Sequence, residues 1–477
     1  MWTPRLVSAA TAGILLLTGP IATATTADAN STVPIIDLGY VKYAGYTNTT
    51  AGINYYRGIP YAQPPTGENR WQKPIPIENS TAYTGQTIQA TTQAPACIQG
   101  YPSWQYASDV QPGSFAYTPQ GQSEDCLIVD VLVPSDPQNI TGGLSVVVQI
   151  HGGGYTTGSA LSYPGDSLVH ASSGGIIYVA MQYRLGVYGF LAGAEVAENG
   201  VQNAGLYDQR LALDWVQRHV AAFGGDPAKV TIWGGSAGGG SVTYQLMAGG
   251  GAGTPPFRAA IPEYPWWQPL LNKSTQELQY RLALDAAGCA DIACLRGLSA
   301  AALTEAGQAD FNQSYPGPGD GYGTFWFGPV VDGEFLLDLP DIAFKKGAFF
   351  KVPILTDREG YEGVSFSNSS VTNQVEETAD AEDLFPSAGP GFFSRLYELY
   401  PASDYNSTYY QRASWYGDFI ISCPTYQIAS SAVLAELCER WRRHASKRRR
   451  GWVLGAGHHV WRDQWQRRGG SGCEGAV

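Results

Sequence analysis

A serine hydroxyl is a weak nucleophile near neutral pH. It acts only where the chain supplies a base, an acid to orient that base, and donors for the oxyanion its attack creates. One serine of this chain has such a setting. The apolar run Val230-Thr231-Ile232-Trp233 enters Gly234-Gly235-Ser236-Ala237-Gly238, and Gly239 and Gly240 come next. A strand that runs through Gly-x-Ser-x-Gly into a helix turns so tightly that small residues must flank the serine. That pattern predicts acyl transfer through a covalent serine ester, with the Ala237 amide as one oxyanion donor. A second cluster, His151-Gly152-Gly153-Gly154, directly follows the apolar run Leu144–Ile150. Glycine lets the backbone approach a substrate and present its N–H groups, so this cluster can supply the other donors. Either cluster alone reads equally well as a tight turn. Both at strand ends, in this chain order, point to the chemistry.

The elements around these clusters alternate in type. Leu127–Val133, Leu144–Ile150, Ile176–Gln182 and Val230–Trp233 read as buried strands. Ala204–Phe223 reads as a helix, with Leu206, Leu213, Val216 and Val220 near one face and Gly224-Gly225-Asp226-Pro227 as its stop. Alternation of this kind predicts an α/β fold, a mostly parallel sheet with helices on both faces. Beyond Ser236 the pattern loosens into helical and loop insertions. Thr275–Gly288, Phe392–Tyr400 and Gln427–Leu437 read as helices, and Pro386 and Pro390 delay the second of these. Val352–Thr356 reads as a short strand before an acidic loop.

Composition narrows the setting. Residues 1–29 read as a secretory signal peptide: Arg5, the apolar run Leu6–Ile21, then small-residue cleavage patterns. That run is short and interrupted for a membrane span, and none is predicted elsewhere. Eight N-x-S/T sequons, at Asn30, Asn48, Asn79, Asn139, Asn272, Asn312, Asn368 and Asn406, predict N-linked glycans on a secreted, extracellular protein. Seven cysteines form no zinc pattern with histidine, and disulfides are the reading that secretion favours. The net charge of −12 is uneven: residues 437–477 carry +7 and the rest −19. An acidic body of this kind disfavours nucleic acid as a partner, and the basic run Lys447–Arg450 reads as a solvated segment. The chain therefore divides into the leader, a catalytic domain over 30–436, and an atypical tail over 437–477. The abrupt edge of that tail is what a misread intron or a shifted reading frame would leave.

The motifs together resemble the type-B carboxylesterase/lipase family of α/β-hydrolases, in its fungal secreted branch. The resemblance runs from about Tyr56 to Tyr426. It is carried by Tyr56–Ala62 with Arg70-Trp71, Ser123–Leu127, Tyr183–Gly186, Gly205–Gln209, Phe223–Pro227, Gly328–Gly333 and Cys423–Tyr426, besides the two glycine clusters. It implies the α/β-hydrolase fold, a small-molecule ester as substrate, and no metal or organic cofactor. It also implies Gly153, Gly154 and Ala237 as oxyanion donors, and the disulfide pairs Cys97–Cys126 and Cys289–Cys294.

For the triad acid the family shows Glu-Gly after a short strand. This chain offers Glu359-Gly360 and Glu362-Gly363. Counting from Pro353 favours Glu362, and Phe366 falls where the family pattern wants an aromatic. For the base, only His444, His458 and His459 come after Glu362. Gly455-Ala456-Gly457-His458 resembles the family's Gly-Ala-x-His. The family carries an acidic and apolar run after its histidine, and His459-Val460-Trp461-Arg462-Asp463 departs from that. His151 belongs to the oxyanion motif, and His219 reads as structural. Many family members carry glutamate just before the serine, where this chain has Gly235. Gly235 removes a buried carboxylate and leaves the turn intact.

Two aromatic clusters, Tyr264 with Trp266-Trp267 and Phe325-Trp326-Phe327, can line an acyl or alcohol pocket. Core packing is the competing reading for each residue. Three functions stay open on these residues: a carboxylesterase, a lipase acting on longer chains, and a non-catalytic binding protein on the same fold should the triad histidine be missing.

Overall fold

The strands that carry the two glycine clusters lie side by side and pair in parallel. The computed structural model describes residues 33–102, 104, 121–138, 141–312, 321–386 and 388–432. Within them the main sheet has seven strands: β1 (Tyr46–Asn48), β2 (Ile53–Pro60), β3 (Ile128–Pro134), β4 (Leu144–Ile150), β5 (Ile176–Met181), β6 (Gly225–Gly235) and β7 (Ala259–Glu263), in the order β7-β6-β4-β5-β3-β2-β1. The four strands β7, β6, β4 and β5 pair in parallel. The N-terminal end, β3, β2 and β1, is antiparallel. The sheet is thus mixed, and it is parallel where the candidate site lies. At its outer edge Ile354 and Asp357 bridge in parallel to Ala260 and Glu263 of β7. The strand expected over Val352–Thr356 is reduced to these two bridges, and Pro353 has no N–H with which to extend the ladder.

Helix α1 (Ala204–His219) buries Leu206, Leu213, Trp215 and Val216, and the chain passes through a single turn, Val220–Phe223, before Gly224 reverses it with φ +87°. A buried ion pair fixes the start of α1. Arg184, just after β5, meets both carboxylate oxygens of Asp208 at 2.7 and 2.8 Å. Both side chains are buried, so this bidentate pair sets a register between strand end and helix. Helix α2 (Ala237–Met247) follows β6 directly and is buried along its whole length. The insertion after β7 contains α3 (Lys273–Ala287), capped by Asn272 and closed by Gly288 at φ +63°, and α4 (Ala300–Asn312). The helix expected from Phe392 begins two residues earlier. Pro390 is its first residue, where a missing N–H costs nothing. Helix α5 (Thr408–Gly417) lies beside the acidic loop.

Disulfides join Cys97 to Cys126 and Cys289 to Cys294. Among the described residues no helix is long and apolar enough to cross a membrane. The expected leader over 1–29 and the expected tail over 437–477 lie outside the described residues.

Candidate active site

Ser236 stands at the junction of β6 and α2 with φ +58° and ψ −127°. A non-glycine residue held there is strained by about 1–3 kcal/mol, and such strain persists only where the surroundings impose it. The surroundings do. The Ser236 carbonyl accepts from Gly240 N at 2.9 Å and from Trp266 N at 3.0 Å. A side chain on Gly234 would lie 2.6 Å from the backbone of Gly238 and from the carbonyl of Ile150. The glycines flanking the serine are therefore demanded by close backbone approach. Ser236 itself is half-buried amid fully buried neighbours.

The second glycine cluster packs against it. The Cβ position of Gly152 is 3.2 Å from Ser236 Cβ and 2.6 Å from the Gly235 carbonyl. Gly153 and Gly154 take φ +110° and +62°, and Tyr155 takes φ +63°. The Gly153 carbonyl accepts from Thr157 N at 2.9 Å and Thr157 Oγ1 at 3.0 Å, which folds the loop back on itself. Gln99 clamps its far end: Oε1 accepts from Gly158 N at 2.6 Å, and Nε2 donates to Gly158 O at 3.0 Å. Nothing in the segment around Gln99 marks it for this role.

His151 is fully buried, stacked on Tyr183 with ring centroids 4.4 Å apart. Its Nδ1 lies 2.9 Å from Gly152 O, which puts the ring proton on Nδ1, and burial pushes its pKa down to about 4. It stays neutral near pH 7 and braces the loop. His219, with Nε2 2.7 Å from Glu78 Oε1, serves the N-terminal packing as expected.

The acidic loop leaves the sheet edge at Asp357. Glu359 is exposed, whereas Glu362 is half-buried and accepts the Glu359 N–H on Oε1. Burial pushes the Glu362 carboxyl up, partly offset by that hydrogen bond. Gly363 is buried against the backbone of α5, and the Glu362 Cβ lies 3.3 Å from the Cβ position of Gly417. His458, His444 and His459 lie outside the described residues.

The aromatic clusters divide. Phe325 covers the Gly154 backbone and packs on Trp266 at 5.6 Å and Trp104 at 5.6 Å. Trp266 also meets Phe366 of the acidic loop at 4.6 Å. These four rings form one wall over the oxyanion loop. Trp267 instead packs on Phe344, Trp326 donates to Asp310 at 2.7 Å, and Phe327 packs on Phe311. Arg412, fully buried, holds the wall from behind: it donates to Tyr322 O at 2.9 Å and to Phe366 O at 3.1 Å, and pairs with Asp380 at 2.7 Å. Two small cavities, one lined by Cys97, Glu124 and Tyr188 and one by Gln99, Tyr188 and Phe311, touch neither Ser236 nor Gly152–Gly154.

A serine on a strained strand-to-helix turn, with a glycine-rich loop packed against it at the end of the adjacent parallel strand, defines an α/β-hydrolase. The sequence model of the carboxylesterase family matches residues 34–438. The chain is 33% identical over 404 residues to the carboxylesterase patB of Aspergillus clavatus, covering 76% of this chain and 70% of that protein. It is 33% identical over 361 residues to lipase 2 of Diutina rugosa, covering 70% of this chain and 64% of that one. Among solved structures it resembles Aspergillus niger EstA, with TM-score 0.73 and 32% identity over 84% of this chain and 75% of that one. It also resembles a pNB esterase, with TM-score 0.68 and 29% identity over 84% and 78%. The chain belongs to the carboxylesterase family. Its activity is carboxylic ester hydrolysis.

Proposed function

We propose that the protein is a secreted serine carboxylesterase working through an acyl-serine intermediate. The observation that carries this reading is the close packing of Gly152, which opens the glycine loop, against Ser236 on its strained turn. Ser236 attacks the ester carbonyl while His458 takes its proton. Glu362 orients the imidazole and stabilises the imidazolium. The amides of Gly153, Gly154 and Ala237 hold the oxyanion. The histidine returns the proton to the leaving alcohol, and water then hydrolyses the acyl-enzyme.

Glu362 is assigned over Glu359 because it is the half-buried one, on a loop pinned to α5. The aromatic wall of Trp104, Trp266, Phe325 and Phe366 supports esters of moderate size. The leader over 1–29, the disulfides and the sequons, with Asn48, Asn79, Asn272 and Asn406 exposed, support secretion and glycosylation. So does likeness to a secreted lipase of Arthroderma benhamiae, 30% identical over 439 residues. The catalytic unit spans 30–436, and the family match ends at 438, beside the composition break. The test is hydrolysis of p-nitrophenyl butyrate by the full chain and by Ser236→Ala, Glu362→Gln and His458→Ala. All three variants are expected to lose at least about a thousandfold in kcat. Full activity in His458→Ala would remove that residue from the mechanism.

A further inference from the structure

The candidate oxyanion amide of Gly154 belongs to the same peptide unit as the Gly153 carbonyl. In a planar trans peptide these two groups point in opposite directions, so whatever grips the carbonyl also aims the N–H. Two successive residues grip it. The Gly153 carbonyl accepts from Thr156 N at 3.1 Å, from Thr157 N at 2.9 Å and from Thr157 Oγ1 at 3.0 Å. Thr157 is 2% exposed, so water does not compete for its hydroxyl. Among the described residues the buried Gly154 N–H has no acceptor of its own. A buried donor without a partner is unfavourable, and a free peptide would rotate to find one. The gripped carbonyl prevents that rotation and keeps the N–H available.

We propose that Thr157 is a positioning residue for ester hydrolysis: its amide and hydroxyl hold the Gly153 carbonyl, and through that peptide they aim the Gly154 N–H at the oxyanion. Thr157 is itself held from both sides. Thr156 O accepts from Gly100 N at 2.8 Å, and Gly158 exchanges two hydrogen bonds with the Gln99 side chain. Gln99 Nε2 also donates to Cys97 O at 2.6 Å, beside the disulfide to Cys126. The Cβ position of Gly158 is 2.3 Å from Gly152 O, so the turn lies directly on the residue that packs against Ser236. A hydroxyl that returns to the carbonyl four residues back is a common local bond. Here the peptide it reaches carries a candidate oxyanion donor. A methyl group in place of Oγ1 would stand 3.0 Å from the Gly153 oxygen. Carbon and oxygen ordinarily approach to about 3.3–3.6 Å, so the peptide would shift by several tenths of an ångström. An oxyanion donor works over a window of about that width, 2.7–3.1 Å.

The inference rests on the proposed reading of Ser236 as nucleophile. The experiment uses the full chain and two variants. Thr157→Val keeps the volume and loses the hydroxyl; Thr157→Ser keeps the hydroxyl and loses the methyl. Steady-state kinetics on p-nitrophenyl butyrate, the rate of Ser236 phosphonylation by a p-nitrophenyl phosphonate, and thermal melting are measured on each. Thr157→Val is expected to lose about tenfold in kcat and in phosphonylation rate, a fraction of the 10²–10³ that follows removal of a whole donor, with KM within about twofold. Thr157→Ser is expected to stay within about threefold in kcat, although the lost methyl lowers its melting temperature. A side chain that only fills space predicts the reverse order. A Thr157→Val protein within twofold of wild type in kcat would overturn the proposal, as would a Thr157→Ser protein that falls as far as Thr157→Val. Should Thr157→Val fail to fold, Thr157→Ala is read against Thr157→Ser: both lose the methyl, only alanine loses the hydroxyl, and equal kcat in the two overturns the proposal. A wild-type protein that resists phosphonylation at Ser236 overturns the nucleophile reading instead.

Discussion

Replacing Gly154 with alanine should disable the oxyanion loop through a clash that a second substitution relieves. Gly154 has φ +62°, and its Cβ position falls on Cδ1, Cε1 and Cζ of Phe325. An ordinary carbon–carbon contact is about 3.5 Å, so ring or loop must retreat by about 1 Å. Phe325 is 6% exposed and wedged between Trp104 and Trp266, so the ring has little room and the loop moves instead. An amide displaced by that much leaves the window of about 2.7–3.1 Å in which it stabilises an oxyanion, and loss of one such donor costs about 3–4 kcal/mol, or 10²–10³ in kcat. Alanine at positive φ adds about 1 kcal/mol of backbone strain, which affects stability more than rate. The assay is kcat for p-nitrophenyl butyrate in a cycle with Phe325→Ala. Gly154→Ala alone should fall at least about a hundredfold, while adding it to Phe325→Ala should cost less than about tenfold. A Gly154→Ala protein within threefold of wild type would refute the reasoning. An undiminished loss on the Phe325→Ala background would refute the steric part of it.

The remaining predictions concern charge and burial. His151 binds a proton at about pH 4 when folded and near 6.5 when unfolded, so between those values the unfolded chain holds more protons. Stability should therefore fall by up to about 3 kcal/mol as pH drops from 6.5 to 4; in His151→Gln, urea titrations across this range should show a curve flatter by that amount. Asp208→Ala strands the buried Arg184 guanidinium and should destabilise the fold by about 3–5 kcal/mol, read as a lowered midpoint in denaturant. Glu362→Gln should reduce kcat by on the order of 10³–10⁴, whereas Glu359→Gln, at the exposed end of the loop, should stay within about twofold in the same assay.

How far the sequence carried depends on whether a residue's role is local. The turn at Ser236 was legible because backbone contact there excludes side chains, and glycine spacing records that exclusion directly. The same holds for His151–Gly154. The two Glu-Gly pairs lie three residues apart; counting from Pro353 and the place of Phe366 favoured Glu362, and its burial beside α5, a tertiary property the sequence does not show, adds to that preference. Trp266 and Trp267 were inseparable as a pair in the sequence. Successive residues of extended chain face opposite ways, so one joins the wall over Gly154 and the other packs on Phe344. Gln99 and Arg412 left no signal, since Gly158, Asp380, Phe366 and Tyr322 lie dozens of residues away in sequence and each is an ordinary residue in its own segment. The strand expected at Val352–Thr356 shows the converse: its apolar run lies at the sheet edge with Leu355 exposed, and it meets only one neighbour, bridging at Ile354 and, just beyond, at Asp357.

Trapping the acyl-enzyme tests the role of Ser236 most directly. The full chain is mixed with excess p-nitrophenyl butyrate and quenched in acid within milliseconds, and its peptides are then mapped by mass. A serine nucleophile at position 236 predicts a butyryl group on the peptide that contains it, appearing with a burst of p-nitrophenol and absent from Ser236→Ala. A turning-over enzyme whose Ser236 never carries the acyl group, or whose label falls on another residue, would contradict that role.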